Sequence, residues 1–382
     1  MAARLIWPAT AANRLIHDMT LDGEKPTNDK GEKKPHFTSI SYLPDGQQMV
    51  GGSTDNSARR WDLQTGEEIV EARVVCEQAV WAVAVSRDSR WIITGGGDQD
   101  SDDLGELKAC EVETGMMKTF EGHSRIVTCV DVSVDNKLLA SGSFDHTARI
   151  WDLNTGELVA GPFECVDSCV GAVRFSEDTR KLAVKSGNER CLEVWDIQEQ
   201  KLDGRVGKGG GHVLPDTPVF WTTKDRSIVA AFSFKATFEE PRTIYEFDSS
   251  TLETVGAPFE GHTREITGLV LSFDCALLAS ASHYDNTIKL WAFESRQLLG
   301  SFGVHNIHTL ILLPNPRRLA YTTFHRSSIH ICYIPYDVCI FTACIHLLST
   351  NSSYRPLRLY IRMSLIARSL YVVLPGPLFP PC

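Results

Sequence analysis

Two stretches of this chain set histidine, serine and aspartate at nearly the same intervals. His123, Ser141 and Asp145 form one set, and His262, Ser280 and Asp285 the other. These are the residue types of nucleophilic hydrolysis, in which histidine takes the serine proton and a carboxylate orients the imidazole. That chemistry needs an exposed serine beside an oxyanion hole. Here each serine lies within a strand-like run, Leu138-Leu139-Ala140-Ser141 or Leu277-Leu278-Ala279-Ser280. Each set also ends on a tryptophan, Trp151 or Trp291. The pattern favours a structural role, and no residue is assigned as catalytic.

Other chemistry-bearing runs fail on spacing. Asp98, Asp100, Asp102, Asp103 and Glu106 begin like a calcium loop. An EF-hand needs Gly at the sixth place and Glu at the twelfth, where Asp103 and Ala109 stand. The run reads as a solvated hairpin loop. Gly207-Lys208-Gly209-Gly210-Gly211 lacks the G-x-x-x-x-G-K-[ST] of a phosphate loop and reads as a connector. Eleven cysteines include no C-x-x-C and match no zinc spacing. They read as reduced, mostly buried thiols of a cytoplasmic protein, with the nucleus as the other compartment. No metal and no cofactor is expected.

The 382 residues are 43% hydrophobic and 23% charged, which excludes disorder as the main state. A net charge of −10 disfavours a nucleic-acid partner. The chain has no run of 18 apolar residues, so a spanning helix is disfavoured as well. Pro8 interrupts the short apolar run near the N-terminus, a poor secretory signal. The Asn351-Ser352-Ser353 glycosylation pattern is discounted accordingly.

The elements that position these residues are repeats. Glu121-Gly122-His123, Ser141-Gly142-Ser143, Asp145, Ile150-Trp151-Asp152 and Thr155-Gly156 make the clearest unit. The frame returns at Glu260-Gly261-His262, Ser280, Asp285 and Leu290-Trp291. It returns in part at Asp55 with Trp61-Asp62 and at Trp195-Asp196. Cys110-Glu111, Phe247-Asp248 and Ile329 to Cys332 fill the remaining places. The anchors are 61, 110, 151, 195, 247, 291 and 332, spaced 41 to 52 residues apart. Short Val- and Ile-rich runs alternate with turns such as Pro44-Asp45-Gly46 and Asn154-Thr155-Gly156, the pattern of consecutive antiparallel hairpins.

The Gly-His … Trp-Asp frame at this period resembles the WD40 repeat. Within that family the chain is similar to divergent fungal WD40-repeat proteins. The resemblance implies an all-β fold, a seven-bladed WD40 β-propeller with irregular N- and C-terminal extensions. Residues 1–31 form the N-terminal extension, and Leu15 to Leu21 can supply the strand that closes the ring. Residues 32–337 form the propeller. Residues 338–382 form a basic apolar tail outside it, with no Asp or Glu and with Arg355, Arg358, Arg362 and Arg368. The tail reads either as an amphipathic segment touching a membrane or an acidic partner, or as sequence that is not an evolved part of the fold.

By matched positions, the resemblance makes His123, Ser141, Asp145 and Trp151 one buried hydrogen-bonded tetrad, and His262, Ser280, Asp285 and Trp291 a second. Blade one keeps Asp55 and Trp61, with Lys33 and Gly51 in the His and Ser places. Blade four keeps Trp195, with Lys185 and Glu189 in the Ser and Asp places.

The resemblance also implies a non-catalytic protein-interaction scaffold, with other proteins or peptides as partners. The alternative is a sensor or regulatory module working with a separate nucleotide-binding signalling protein. The matched partner-binding positions are Trp81, Arg125, Phe144 and His146, with Arg264, His283, Tyr284 and Asn286. Ubiquitin-ligase receptors of this family often carry Arg or Lys two places after the Trp-Asp pair. Gln64, Asn154, Gln198 and Glu294 stand there, which argues against that role.

Overall fold

The aspartate that follows four of the seven anchors, Asp62, Asp152, Asp196 and Asp248, explains why the chain turns there. In the computed structural model, Asp152 Oδ1 accepts the backbone N–H of Asn154 (2.8 Å) and of Thr155 (2.7 Å). Asp62 and Asp248 hold equivalent turns. Gly156 then takes φ +84°, a left-handed value that glycine adopts without strain. A second turn recurs between the first two strands of a blade. Ser133 Oγ donates to Asp135, as Ser86 does to Asp88, Ser176 to Asp178 and Ser272 to Asp274. These local devices make hairpins, and consecutive hairpins make blades.

The structure describes residues 14–23, 36–69, 74–98, 104–165, 169–186, 190–208, 217–234, 241–314, 318–324, 326–335 and 338. Lys33, Glu189, Asp100, Asp102, Asp103, the Gly209-Gly210-Gly211 run and the tail after Val338 lie outside them.

The first strand, β1 (Ile16–Asp22), precedes the blades. Blade one is β2 (Phe37–Tyr42), β3 (Gln48–Ser53), β4 (Ser57–Asp62) and β5 (Val74–Val75). Blade two is β6 (Val80–Val85), β7 (Trp91–Gly96), β8 (Glu106–Glu111) and β9 (Met117–Thr119). Blade three is β10 (Val127–Val132), β11 (Leu138–Ser143), β12 (Thr147–Asp152) and β13 (Leu158–Glu164). Blade four is β14 (Val170–Phe175), β15 (Lys181–Ser186), β16 (Cys191–Asp196) and β17 (Lys201–Gly207). Blade five is β18 (Phe220–Trp221), β19 (Ser227–Ala231), β20 (Thr243–Asp248) and β21 (Phe259–Glu260). Blade six is β22 (Gly268–Leu271), β23 (Leu277–Ser282), β24 (Thr287–Ala292) and β25 (Gln297–Gly303). Blade seven is β26 (Ile307–Leu312), β27 (Arg318–Thr323) and β28 (Ser328–Tyr333), completed by β1.

Seven four-stranded antiparallel sheets therefore form the ring of a β-propeller. Each anchor lies on the third strand of its blade, opposite an apolar residue of the second. The pairs are Trp61–Met49, Cys110–Ile92, Trp151–Leu139, Trp195–Leu182, Phe247–Ile228, Trp291–Leu278 and Cys332–Leu319.

Closure is made between the two ends of the described chain. β1 pairs antiparallel with β28, with Leu21 opposite Ile329 and Thr20 opposite His330. Leu21 is fully buried against Phe37, Trp61 and Ile331. Asp18 adds an ion pair to Arg318 of β27.

The core lies between blades. Seven apolar clusters fill the seven seams, such as Phe163, Val173 and Leu182 between blades three and four. Each blade buries both faces, so no blade is stable alone and the closed ring is the unit that folds.

Candidate functional site

In blade three the Trp151 indole N–H donates to Ser141 Oγ at 2.9 Å. Ser141 Oγ lies 2.7 Å from His123 Nε2, and His123 Nδ1 lies 2.8 Å from Asp145 Oδ2. The chain has one consistent direction. Indole donates to hydroxyl, hydroxyl to the imidazole Nε2, and the Nδ1–H to the carboxylate, so the neutral imidazole satisfies every group. Blade six repeats it with Trp291, Ser280, His262 and Asp285 at 2.9, 2.8 and 2.8 Å.

The preceding glycines lie close against the anchors. A Cβ on Gly122 would lie 3.1 Å from the Trp151 ring edge, and one on Gly261 would lie 3.0 Å from that of Trp291. Gly122 also takes φ +151°. Burial raises the Asp145 pKa, but hydrogen bonds from His123 and Thr147 outweigh it and hold the carboxyl well below the usual range. Asp285 is lowered by the same balance, with His262 and Thr287 as donors. Ser141 and Ser280 are fully buried, each already engaged by a tryptophan, so neither presents a nucleophile.

The other blades replace this device. In blade one, Gly51 stands where Ser141 stands in blade three, and the Phe37 ring packs edge-on to Trp61 at 5.2 Å. Asp55 takes the Ser57 hydroxyl and the Arg59 guanidinium. Blade four corrects the slot assignment. Ser141 lies opposite Arg149, two residues before Trp151; the residue opposite Glu193, two before Trp195, is Val184. Lys185 is one place further on, opposite Leu192, and its buried ammonium donates to Thr217. Trp195 donates instead to Glu193 Oε2 at 3.0 Å, and Arg205 holds the other carboxylate oxygen at 2.8 Å. Sequence reasoning missed this substitute, whose signal is a glutamate two places before a Trp-Asp pair.

The tetrads also fix two loops on one face. Asp145 Oδ2 accepts the Ser124 N–H, and Asp285 Oδ2 accepts that of Thr263. Each tetrad thus ties the segment after Gly-His to the turn between the second and third strands. Arg125 and His146 are exposed there and Phe144 is half-buried; Arg264 and Tyr284 are exposed, with His283 and Asn286 half-buried. Trp81 lies on the same face and donates its indole N–H to Gly97 at 3.0 Å. Blades three and six are not adjacent, so these residues form two patches.

The blade-six patch is larger than its repeat suggests. The His283 ring meets Tyr284 at 4.9 Å and Phe324 of blade seven at 4.7 Å. His308 lies 4.2 Å from Phe324 and 5.8 Å from His36. Burial, with His36 and His283 alongside, pushes the His308 pKa down to about 3. This aromatic cluster spans blades six, seven and one. His36, His308 and Phe324 sit in degenerate units, His283 and Tyr284 in a complete one, and the members carry no common sequence signal.

Among the described residues, no group of three or more His, Cys, Asp or Glu side chains is arranged to hold a metal ion. Glu106, from the acidic run, accepts the backbone N–H groups of Glu77 and Gln78 and pairs with Lys108. No helix among those residues is long and apolar enough to cross a membrane.

A ring of seven four-stranded blades, two of them pinned by a Trp–Ser–His–Asp chain, defines a WD40 β-propeller. The chain carries WD40 repeats: residues 27–62, 73–100, 115–152 and 253–292 match the family model described as "WD domain, G-beta repeat". It is similar to a guanine nucleotide-binding protein subunit beta of Arabidopsis thaliana, 24% identical over 67% of this chain and 69% of that one. It is similar to protein groucho of Drosophila melanogaster, 27% identical over 33% of this chain and 17% of that protein. It is 22% identical to cell division cycle 20.1, cofactor of APC complex, of Arabidopsis thaliana, over 68% of this chain and 55% of that protein. The chain therefore spans less than two thirds of the length of the last two. WD40 propellers generally bind other proteins and act as non-catalytic scaffolds and regulators.

Proposed function

We propose that this chain is a non-catalytic protein-interaction scaffold. Partner proteins or peptides meet the face that carries Trp81, Arg125, Phe144, His146, Arg264, His283, Tyr284 and Asn286. One observation carries the reading: each tetrad is bonded to the two loops that present all of these side chains except Trp81, which stands on β6 of blade two. Preorganised loops lose little entropy on binding, and arginine and aromatic residues are the types enriched in binding hot spots. The exposed Arg125 and Arg264 suit acidic groups on the partner. The eight cysteines among the described residues are free thiols, which supports a reducing compartment, the cytoplasm or nucleus.

A second reading is a regulatory module that works with a separate nucleotide-binding signalling protein. It is favoured by the similarity to the guanine nucleotide-binding protein subunit beta. Affinity purification of the tagged chain beside an Arg125→Glu/Arg264→Glu variant tests both. Loss of a partner from the variant alone supports the scaffold face. Recovery of a nucleotide-binding protein among the lost partners selects the second reading. An unchanged partner list rejects this face.

A further inference from the structure

Blades one and two pack through Val50, Ala58, Val80, Val83 and Ile92. Beside that seam is a crevice of about 430 Å³. Arg60 of β4 and Gln48 of β3 line its blade-one wall, with Arg90, Glu111 and Glu113 of blade two across from them.

Arg60 is out of character for its place in the repeat. It precedes the anchor Trp61. In five other blades the residue before the anchor is Ala109, Ile150, Val194, Leu290 or Ile331, each at most 1% exposed. In blade five it is Glu246, which pairs with Arg296 of blade six. The blade-two position matching Arg296 is Gly115, which has no charge to offer. Among the described residues, the Arg60 guanidinium has no hydrogen-bond or ion-pair partner, and its Nε is buried. Gln48 Oε1 is also buried without a donor.

Of the neighbouring charges, Arg90, Glu111 and Asp88 are committed to one another or to nearby hydroxyls and backbone, and Glu113 forms no ion pair with Arg60. Arg90 Nε holds Glu111 at 2.7 Å, and the other Glu111 oxygen accepts from Thr114. Asp88 accepts the Ser86 hydroxyl and the Arg90 N–H. A buried unmet donor disfavours folding unless something outside the fold satisfies it.

We propose that the crevice between blades one and two binds a ligand through a carboxylate, held by the Arg60 guanidinium, with Gln48 Oε1 accepting an N–H or O–H beside that carboxylate. The arginine fork matches a carboxylate geometrically. Asp88 and Glu113 line the same crevice and disfavour a dianion such as phosphate. The carboxylate belongs either to a small acid or chain terminus, or to an internal acidic side chain of a protein.

Saturation-transfer NMR on the full chain tests this with two probes. One is N-acetylglycine, with an N–H beside its carboxylate; the other is a blocked peptide with one internal Glu. Transfer to N-acetylglycine supports the small acid or chain terminus. Transfer to the blocked peptide alone supports the acidic side chain. In Arg60→Leu the affinity falls about tenfold or more, and the variant folds because aliphatic residues hold this place elsewhere. Arg60→Lys keeps the charge, loses the fork and retains weak binding. The Arg125→Glu/Arg264→Glu variant binds as the parent does, which separates this site from the scaffold face. No transfer to either probe, or equal transfer in Arg60→Leu, overturns the proposal.

Discussion

The Trp195 indole N–H donates to the carboxylate of Glu193, two residues before it on the same strand, at 3.0 Å. In blades three and six the equivalent indole reaches a serine on the neighbouring strand. The constraint common to these blades is that a buried indole N–H needs an acceptor, and the acceptor is free to vary. Glu193 is almost fully buried and also binds Arg205. Glu193→Leu strands both donors and is expected to cost about 3 kcal/mol. Glu193→Gln keeps an acceptor for Trp195 and costs less. Urea unfolding of the two variants checks the order.

Ser141→Ala removes the acceptor of Trp151 and the donor to His123 at once. Each stranded group costs about 1–3 kcal/mol. Ser280→Ala does the same in blade six, and the two losses should add, because the sites share no partner. Trp151→Ala removes the anchor itself and should cost about 3–5 kcal/mol. An unchanged melting temperature for Trp151→Ala contradicts the staple.

Acid should weaken the fold in two stages. His308 is held neutral, its pKa lowered to about 3 from an ordinary 6.5. The unfolded chain takes up that proton below pH 6.5 and the folded chain does not. Stability therefore falls with pH between 6.5 and about 3, by up to one proton's worth of slope. Asp145 and Asp285 are lowered, so their contribution is full above the ordinary carboxyl value of 3.8 and is lost below it. His308→Leu should flatten the upper window, pH 5 to 6.5, in chemical unfolding. An unchanged slope there rejects the assignment.

Ring closure depends on Leu21, which crosses from β1 into the seam of blades seven and one. Leu21→Ala should cost about 2–5 kcal/mol, as for other buried leucines. Because β1 is the outer strand of the last blade, deleting residues 1–22 leaves β28 with an open edge. The truncated chain should aggregate or melt well below the full one in a thermal scan.

The seven-blade ring was legible because the hairpin chemistry recurs. Even Cys110, Phe247 and Cys332, which replace tryptophan, keep the spacing. The two full tetrads were legible because all four residue types survive. Elsewhere single residues were swapped for solutions with no repeat signal. Glu193 stands in for a serine, and counting to Lys185 missed the register by one, which only strand pairing reveals. The cluster of His36, His283, His308 and Phe324 is made by the seams between blades. No single repeat encodes it.

Blade one shows that a missing motif residue can be an adaptation. Gly51 occupies the serine place, and Trp61 Nε1 is buried without a partner. Restoring the repeat with Gly51→Ser looks stabilising in sequence. In the structure, a Cβ there would lie 2.9 Å from the Phe37 ring and 3.1 Å from Ile329. The first is closer than packing allows and the second needs Ile329 to give slightly, so Gly51→Ser alone should destabilise by about 1–3 kcal/mol. Blade three carries Val127 where blade one carries Phe37. Phe37→Val alone opens a cavity and also costs stability. Together the two changes relieve the contact with Phe37, leave only Ile329 to shift, fill part of the cavity and place a hydroxyl near the Trp61 indole. The double variant should be more stable than either single one. A double-mutant cycle measured by urea unfolding gives the coupling, and purely additive losses would show that Phe37 and Gly51 are not exchanged for the serine as a pair.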